Sequence, residues 1–177
     1  MVAGAERRSE ATGKPISCSK GCAACCAQLV PISEAQAREL SGMIRRWPKA
    51  RRAAITQRFV PAREKFQESD IWDKLSRLCT TSDAIDPDLM LRYFSERISC
   101  LFLEDGACSI HPQRPVVCRE YLVTSDPKHC STPGEGRIDG VQIPLRVSLM
   151  MNRVVDQADG AGAGWLPLIT LQDLNAQ

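Results

Sequence analysis

Cys18-Ser19-Lys20-Gly21-Cys22-Ala23-Ala24-Cys25-Cys26 packs four thiols into nine residues. A core that needs small apolar side chains uses Ala or Val and avoids the oxidation that neighbouring thiols invite. Thiols this dense point to metal ligation or to a disulfide framework. The chain holds nine cysteines in 177 residues. Met1 to Ser17 carries Glu6, Arg7, Arg8, Glu10 and Lys14 and no apolar run, so no secretory signal is read there. No stretch approaches the ~18 apolar residues of a membrane span. The expectation is therefore a cytoplasmic protein whose thiols stay reduced, which favours metal over disulfides. The odd number of cysteines agrees, because a closed disulfide set leaves one over.

Cys22 and Cys25 form a C-x2-C pair, the spacing at which two thiolates hold one metal. At 100° per residue Cys18, Cys22, Cys25 and Cys26 fall at about 0°, 40°, 340° and 80°, one face of a helical turn. Gly21 weakens that helix, and a loop leading into a turn serves as well. Adjacent Cys25 and Cys26 chelate a single tetrahedral ion awkwardly, which leaves one of them to a second metal, a bridge or no ligation. The stretch therefore needs partners downstream: Cys79, Cys100, Cys108, Cys118 and Cys130. Cys79, at the end of an amphipathic helix, is read as a plain thiol. Thiolate charge needs cations or donors near it. Lys20, Arg114 and Arg119 are candidates, the plainer reading being that the arginines pair with carboxylates such as Glu120. His111 and His129 are the histidines able to replace a cysteine, His129 the better placed beside Cys130.

Outward from the cluster, the composition is globular, 44% hydrophobic and 25% charged with net charge +2, and fits one domain with its own core. Residues 1–15 read as a flexible tail and 16–177 as the domain. Ser33-Glu-Ala-Gln36 is a capping box for a helix to Trp47, stopped by Pro48. A second helix from Lys49 meets Pro61, which should kink or restart it before the pattern resumes to Leu78. Thr80 to Ile85 is a loop, and Asp86-Pro87 opens a short helix to about Glu96. Two apolar runs around Asp105-Gly106 predict a hairpin with Cys100 and Cys108 on its arms. A helical turn follows Arg114-Pro115, Pro127 to Gly140 is loop, Pro144 opens a last helix through Val155, and Trp165 to Leu174 packs back on the domain. The fold class is mainly α with a small β-hairpin, helices joining the N-terminal cluster to the hairpin region.

Cys22-Ala-Ala-Cys25-Cys26 and Cys100-Leu-Phe-Leu-Glu-Asp-Gly-Ala-Cys108-Ser-Ile-His-Pro-Gln-Arg114-Pro115-Val-Val-Cys118-Arg119-Glu-Tyr121 together resemble the YkgJ-type cysteine-cluster family, also called the CxxCxxCC zinc- or iron-chelating domain. The resemblance runs from Cys18 to Cys130 and implies a metal-chelating domain. It places the family's cysteines on Cys18, Cys22, Cys25, Cys26, Cys100, Cys108, Cys118 and Cys130. Two departures stand out: the first gap holds three residues rather than two, and His111 stands where many members have Tyr.

The resemblance does not choose the metal. Zinc would make the domain a scaffold whose folding energy is partly metal binding. The gaps of the second half do not repeat the paired C-x2-C of zinc ribbons, which favours iron, including an iron–sulfur cluster. Cys18-x3-Cys22-x2-Cys25 also has the spacing of a radical-SAM loop, the mark of an iron–sulfur enzyme with an open cluster site. The chain lacks the strand–helix alternation that such enzymes carry. A third class is a binding module. Nine Lys and Arg stand against two Glu between Arg38 and Lys65. Such a surface can hold nucleic acid or a protein partner; the plainer reading is a solvated face balanced by Glu68, Asp70, Asp73, Asp83, Asp86 and Asp88. No constellation for hydrolytic or acid–base catalysis is present, so the chain reads as a metal binder rather than an enzyme.

Overall fold

The computed structural model describes residues 2–78, 85–132, 134–151 and 165–171. Cys79, the loop at 80–84, the end of the helix expected through Val155 and the tail beyond 171 lie outside these residues. The fold is mainly helical, as its sequence predicts. The chain divides into two compact units, each built from two segments: Met1–Ala27 with Phe102–Val147, here the thiol unit, and Gln28–Leu101 with Ser148–Gln177, here the helical unit.

The thiol unit begins with α1, Val2–Ala11, where a flexible tail is expected. Its inward positions are small, which hides it from a search for apolar periodicity: Ala5 is 1% exposed and Ser9 5%. The Ser9 hydroxyl donates to the Lys14 carbonyl and fastens the end of the helix. A hairpin of β2, Leu103–Glu104, and β3, Ala107–Cys108, turns at Asp105-Gly106. Both turn residues have positive φ, 48° and 75°, the conformation that a two-residue turn with the strands' right-handed twist requires. Leu103 pairs with Cys108, so the register puts Cys100 outside the paired arms, contrary to its expected place. A 3-10 turn at His111–Gln113 leads to α6, Val116–Glu120, started by Pro115. A further 3-10 helix, Pro127–Ser131, replaces the expected loop; Asp126 caps it by accepting the Lys128 N–H at 2.9 Å. Val123 and Gly140 form an antiparallel bridge behind it.

The helical unit follows its sequence closely. Ser33 caps α2, Glu34–Arg45, through the Gln36 N–H, and Asp86 caps α5, Pro87–Ser95, through the Asp88 N–H. Between them run α3, Lys49–Gln67, and α4, Ile71–Leu78. The helix α3 passes through Pro61 without restarting. Pro61 and Gln57, whose carbonyl loses its helical donor, are both exposed, so water replaces the missing bond. Ile55, Phe59, Ala62 and Phe66 form its buried stripe, and Phe66 stacks on Tyr93 with ring centroids 4.7 Å apart. The strand β1, Pro31–Ile32, pairs with β4, Leu166–Pro167, and the Leu168 N–H donates to Val30 O at 2.8 Å. Leu168, Ile169 and Leu171 are buried, so the apolar tail does pack back. The expected last helix appears at 147–151.

Candidate metal centre

The N-terminal thiols sit on two successive turns rather than on a helix. The Cys22 N–H donates to Ser19 O at 3.0 Å and the Cys26 N–H to Ala23 O at 2.9 Å, so each turn ends in a cysteine. Gly21 supplies the positive φ of 87° that the first turn needs and that breaks the helix. The segment is anchored from one side: the Ser17 N–H donates to Val123 O at 2.9 Å, and the Val123 N–H donates to the Cys18 sulfur.

Electrostatics shows which thiols have been brought together. Burial pushes Cys18 above its ordinary value, and Cys22 and Cys25 push it further, while Val123 and Arg114 act the other way. Cys25 is pushed up most, first by its hydrogen bond with Cys26, then by burial. Cys130, only 3% exposed, is raised by burial and by Cys25, Cys18 and Cys22; the Tyr121 hydroxyl, donating to its sulfur, opposes this. Cys130 arrives on the Pro127–Ser131 helix from the far end of the chain and joins the N-terminal thiols. Thiolates this close repel one another, and a soft divalent cation removes that repulsion. The donor set therefore fits zinc or iron. Among the described residues, no three Cys, His, Asp or Glu side chains are already set around a common ligation point.

The other predicted ligands fall as follows. Cys26 shares the second turn with Cys25. Cys108 lies on β3 and Cys118 on α6, both half-buried and both in the thiol unit. Cys100 belongs to the helical unit, where it lines a small crevice with Tyr93, Leu101 and Leu168. None of these eight cysteines is joined in a disulfide.

Of the cations expected near the thiolates, Arg114 is in place. Arg114 lies near Cys18 and Cys25, and Arg114, Arg119 and Lys20 hold His111 below its ordinary value, with burial contributing after Arg114. Arg119 donates through Nε to Arg114 O at 3.0 Å and through Nη2 to Pro112 O, stapling the turn before α6. Glu120 is buried and accepts the Val147 N–H at 2.6 Å. His129 is likewise committed: its Nδ1 pairs with Arg137 O at 3.1 Å. A Cβ on Gly136 would come within 2.5 Å of the His129 ring. His129 positions the loop beside Cys130. Sequence reading missed that role because the contact is made across a loop.

These features meet a family result. The CxxCxxCC family model, described as "Putative zinc- or iron-chelating domain", matches residues 17–134. The chain belongs to this family. The match takes in all eight cysteines assigned from the sequence and bears out the resemblance drawn from its motifs. No curated protein and no solved structure matches the chain significantly.

The basic stretch carries less. Arg38 pairs with Glu34, Arg51 lies over Trp47 at 3.9 Å, and Arg52 donates to Arg45 O at 2.9 Å. Arg58 donates to Leu101 O, Arg63 lies over Trp72, and Lys65 pairs with Glu96 at 3.2 Å. Six of the nine cations thus have partners within the helical unit, which favours the solvated-face reading. No helix among the described residues is long and apolar enough to cross a membrane.

Proposed function

We propose that the protein chelates iron or zinc through a four-thiolate set formed by Cys18, Cys22, Cys25 and Cys130. What supports this is that Cys130, carried in on the Pro127–Ser131 helix, is raised by Cys25, Cys18 and Cys22, and Cys18 by Cys22 and Cys25, so the three N-terminal thiols lie within electrostatic reach of Cys130. Bound metal would supply the positive charge that lets all four ionise together. Arg114 offsets the remaining negative charge, and the Val123 N–H and Tyr121 hydroxyl hold the sulfurs of Cys18 and Cys130 as hydrogen-bond acceptors. Cys26, Cys108 and Cys118 extend the set within the same unit and would serve a second ion or a polynuclear iron–sulfur cluster. The unpaired spacing of the later cysteines favours iron.

Metal and sulfide analysis with a visible spectrum on anaerobically purified protein tests the reading. Iron with sulfide and visible absorbance supports a cluster, iron without sulfide a mononuclear thiolate site, and a colourless zinc-loaded protein the scaffold version. Cys130→Ser should lose most of the metal, and Cys100→Ser should keep it. Protein without metal whose cysteines are paired as disulfides, or Cys130→Ser with full metal content, overturns the proposal.

A further inference from the structure

A cavity lies away from the thiols. It is an open cleft of about 640 Å³ in the thiol unit, between the end of α1 and the segment from Arg137 to Gln142. That volume suits a small-molecule ligand. Three cations, Arg8, Lys14 and Arg137, line it against one carboxylate, Asp139, leaving a net charge of +2. Asp139 accepts from Arg137 Nε at 2.6 Å, which orients that guanidinium and leaves its two terminal nitrogens to donate elsewhere. Arg8 and Lys14 have no ion-pair or hydrogen-bond partner for their charged ends among the described residues. Like charges gathered on one concave wall without partners repel one another and favour an anion between them.

The rest of the lining narrows the ligand. Thr12, Thr124 and Gln142 add hydroxyl and amide groups, and Ile138 and Val141 are the large apolar contributors. No aromatic ring is present to stack a base. Gly140 is an exposed part of the lining, and a Cβ there meets nothing within 4 Å, so a larger side chain can be added without a clash.

We infer that this cleft binds a small, non-aromatic phosphate ester rich in hydroxyl groups, held through Arg8, Lys14 and Arg137. Phosphate oxygens give the uncompensated cations acceptors, and the hydroxyl and amide side chains suit a polyol body. The site is separate from metal binding, so either can fail without the other.

The test uses the full-length, metal-loaded protein and calorimetric titration with fructose 1,6-bisphosphate, fructose and tricarballylate. Fructose 1,6-bisphosphate should bind, more weakly as salt rises, and fructose should not. Arg8→Gln and Lys14→Gln should each weaken binding about tenfold or more. Gly140→Leu, which leaves every charge in place and adds a larger side chain to the lining, should abolish it. Lys49→Gln, on α3, should bind as the parent does. Metal content is measured on each sample, which separates anion binding from metal capture and verifies the fold of the thiol unit. Tricarballylate binding as tightly as the bisphosphate would overturn the phosphate-ester assignment. No bisphosphate binding at millimolar concentration, or unchanged binding by Gly140→Leu and Lys14→Gln with normal metal content, would overturn the site.

Discussion

The two units reach stability by different routes. The helical unit buries Ile32, Leu40, Ile55, Phe59, Phe66, Ile71, Leu75, Leu89 and Phe94, an apolar core of the ordinary kind. Each such side chain contributes about 1.5–3 kcal/mol on burial. The thiol unit buries far fewer large groups, chiefly Phe102, Ile110, Leu122 and Val123. Apart from the ten-residue α1, its elements are two-residue strands, 3-10 turns and a five-residue helix. A thin core of short elements gains proportionately more from a cross-link or a bound metal. On the proposed metal-binding reading, the cysteines would supply part of the stability that this thin core does not.

Stripping the metal should have the largest effect, since structural zinc in small modules contributes about 10–16 kcal/mol. Amide exchange should lose protection across 17–27 and 116–131, and α3 and α4 should keep theirs. Equal loss in both units would break the comparison. Next comes Phe66→Ala, which empties a fully buried site stacked on Tyr93. It should cost about 3–5 kcal/mol in urea unfolding while metal bound per folded molecule stays unchanged. Gly136→Ala drives a methyl into the His129 ring and should cost about 1–3 kcal/mol. Because that loop carries Cys130, it should also lower metal affinity, which Phe66→Ala should not do. Ser33→Ala removes the cap of α2 and should cost about 1 kcal/mol, read as a lower melting temperature.

The smallest effect is electrostatic. Arg92, which donates to Asp70 at 3.0 Å, and Lys74 at 3.5 Å push the Asp70 carboxyl down to about 2 from its ordinary 3.8. A depressed pKa stabilises the folded state above the unfolded value, and that contribution is lost as pH falls from about 4 toward 2. The pair is exposed, so the loss should be slight and weaken with salt. Asp70→Asn should flatten the acid limb of stability in this window, and an unchanged acid limb would show that the pair contributes nothing.

Where one residue carries its own signal, the sequence was sufficient. Asp105-Gly106 announced the hairpin, and Ser33 and Asp86-Pro87 announced their helices through donors that side chains can satisfy. Asp126-Pro127 carries the same signal as Asp86-Pro87 and does start a helical turn, but the surrounding proline and glycine hid it. The helix α1 was missed because Ala5 and Ser9, one turn apart, are too small to register as an apolar stripe. At the site, Arg114 was legible as a cation for the thiols because it lies close to Cys118 in sequence. The union of Cys18, Cys22 and Cys25 with Cys130 depends on Val123 holding the N-terminal segment, a backbone contact that no side-chain pattern encodes.

The interleaving of the units sets an order of events during synthesis. The chain enters the thiol unit, leaves it after Ala27 and re-enters at Phe102. Cys18 to Cys26 therefore leave the ribosome well before Cys130. At roughly 5–20 residues per second that interval lasts on the order of 5–20 s. For those seconds the nascent chain displays four thiols without Cys130, the partner proposed to complete their set. An early metal ion would meet a weaker, incomplete site, and an oxidant would meet its most accessible target. On the proposed four-thiolate reading, the complete site would form only once Cys130 has emerged.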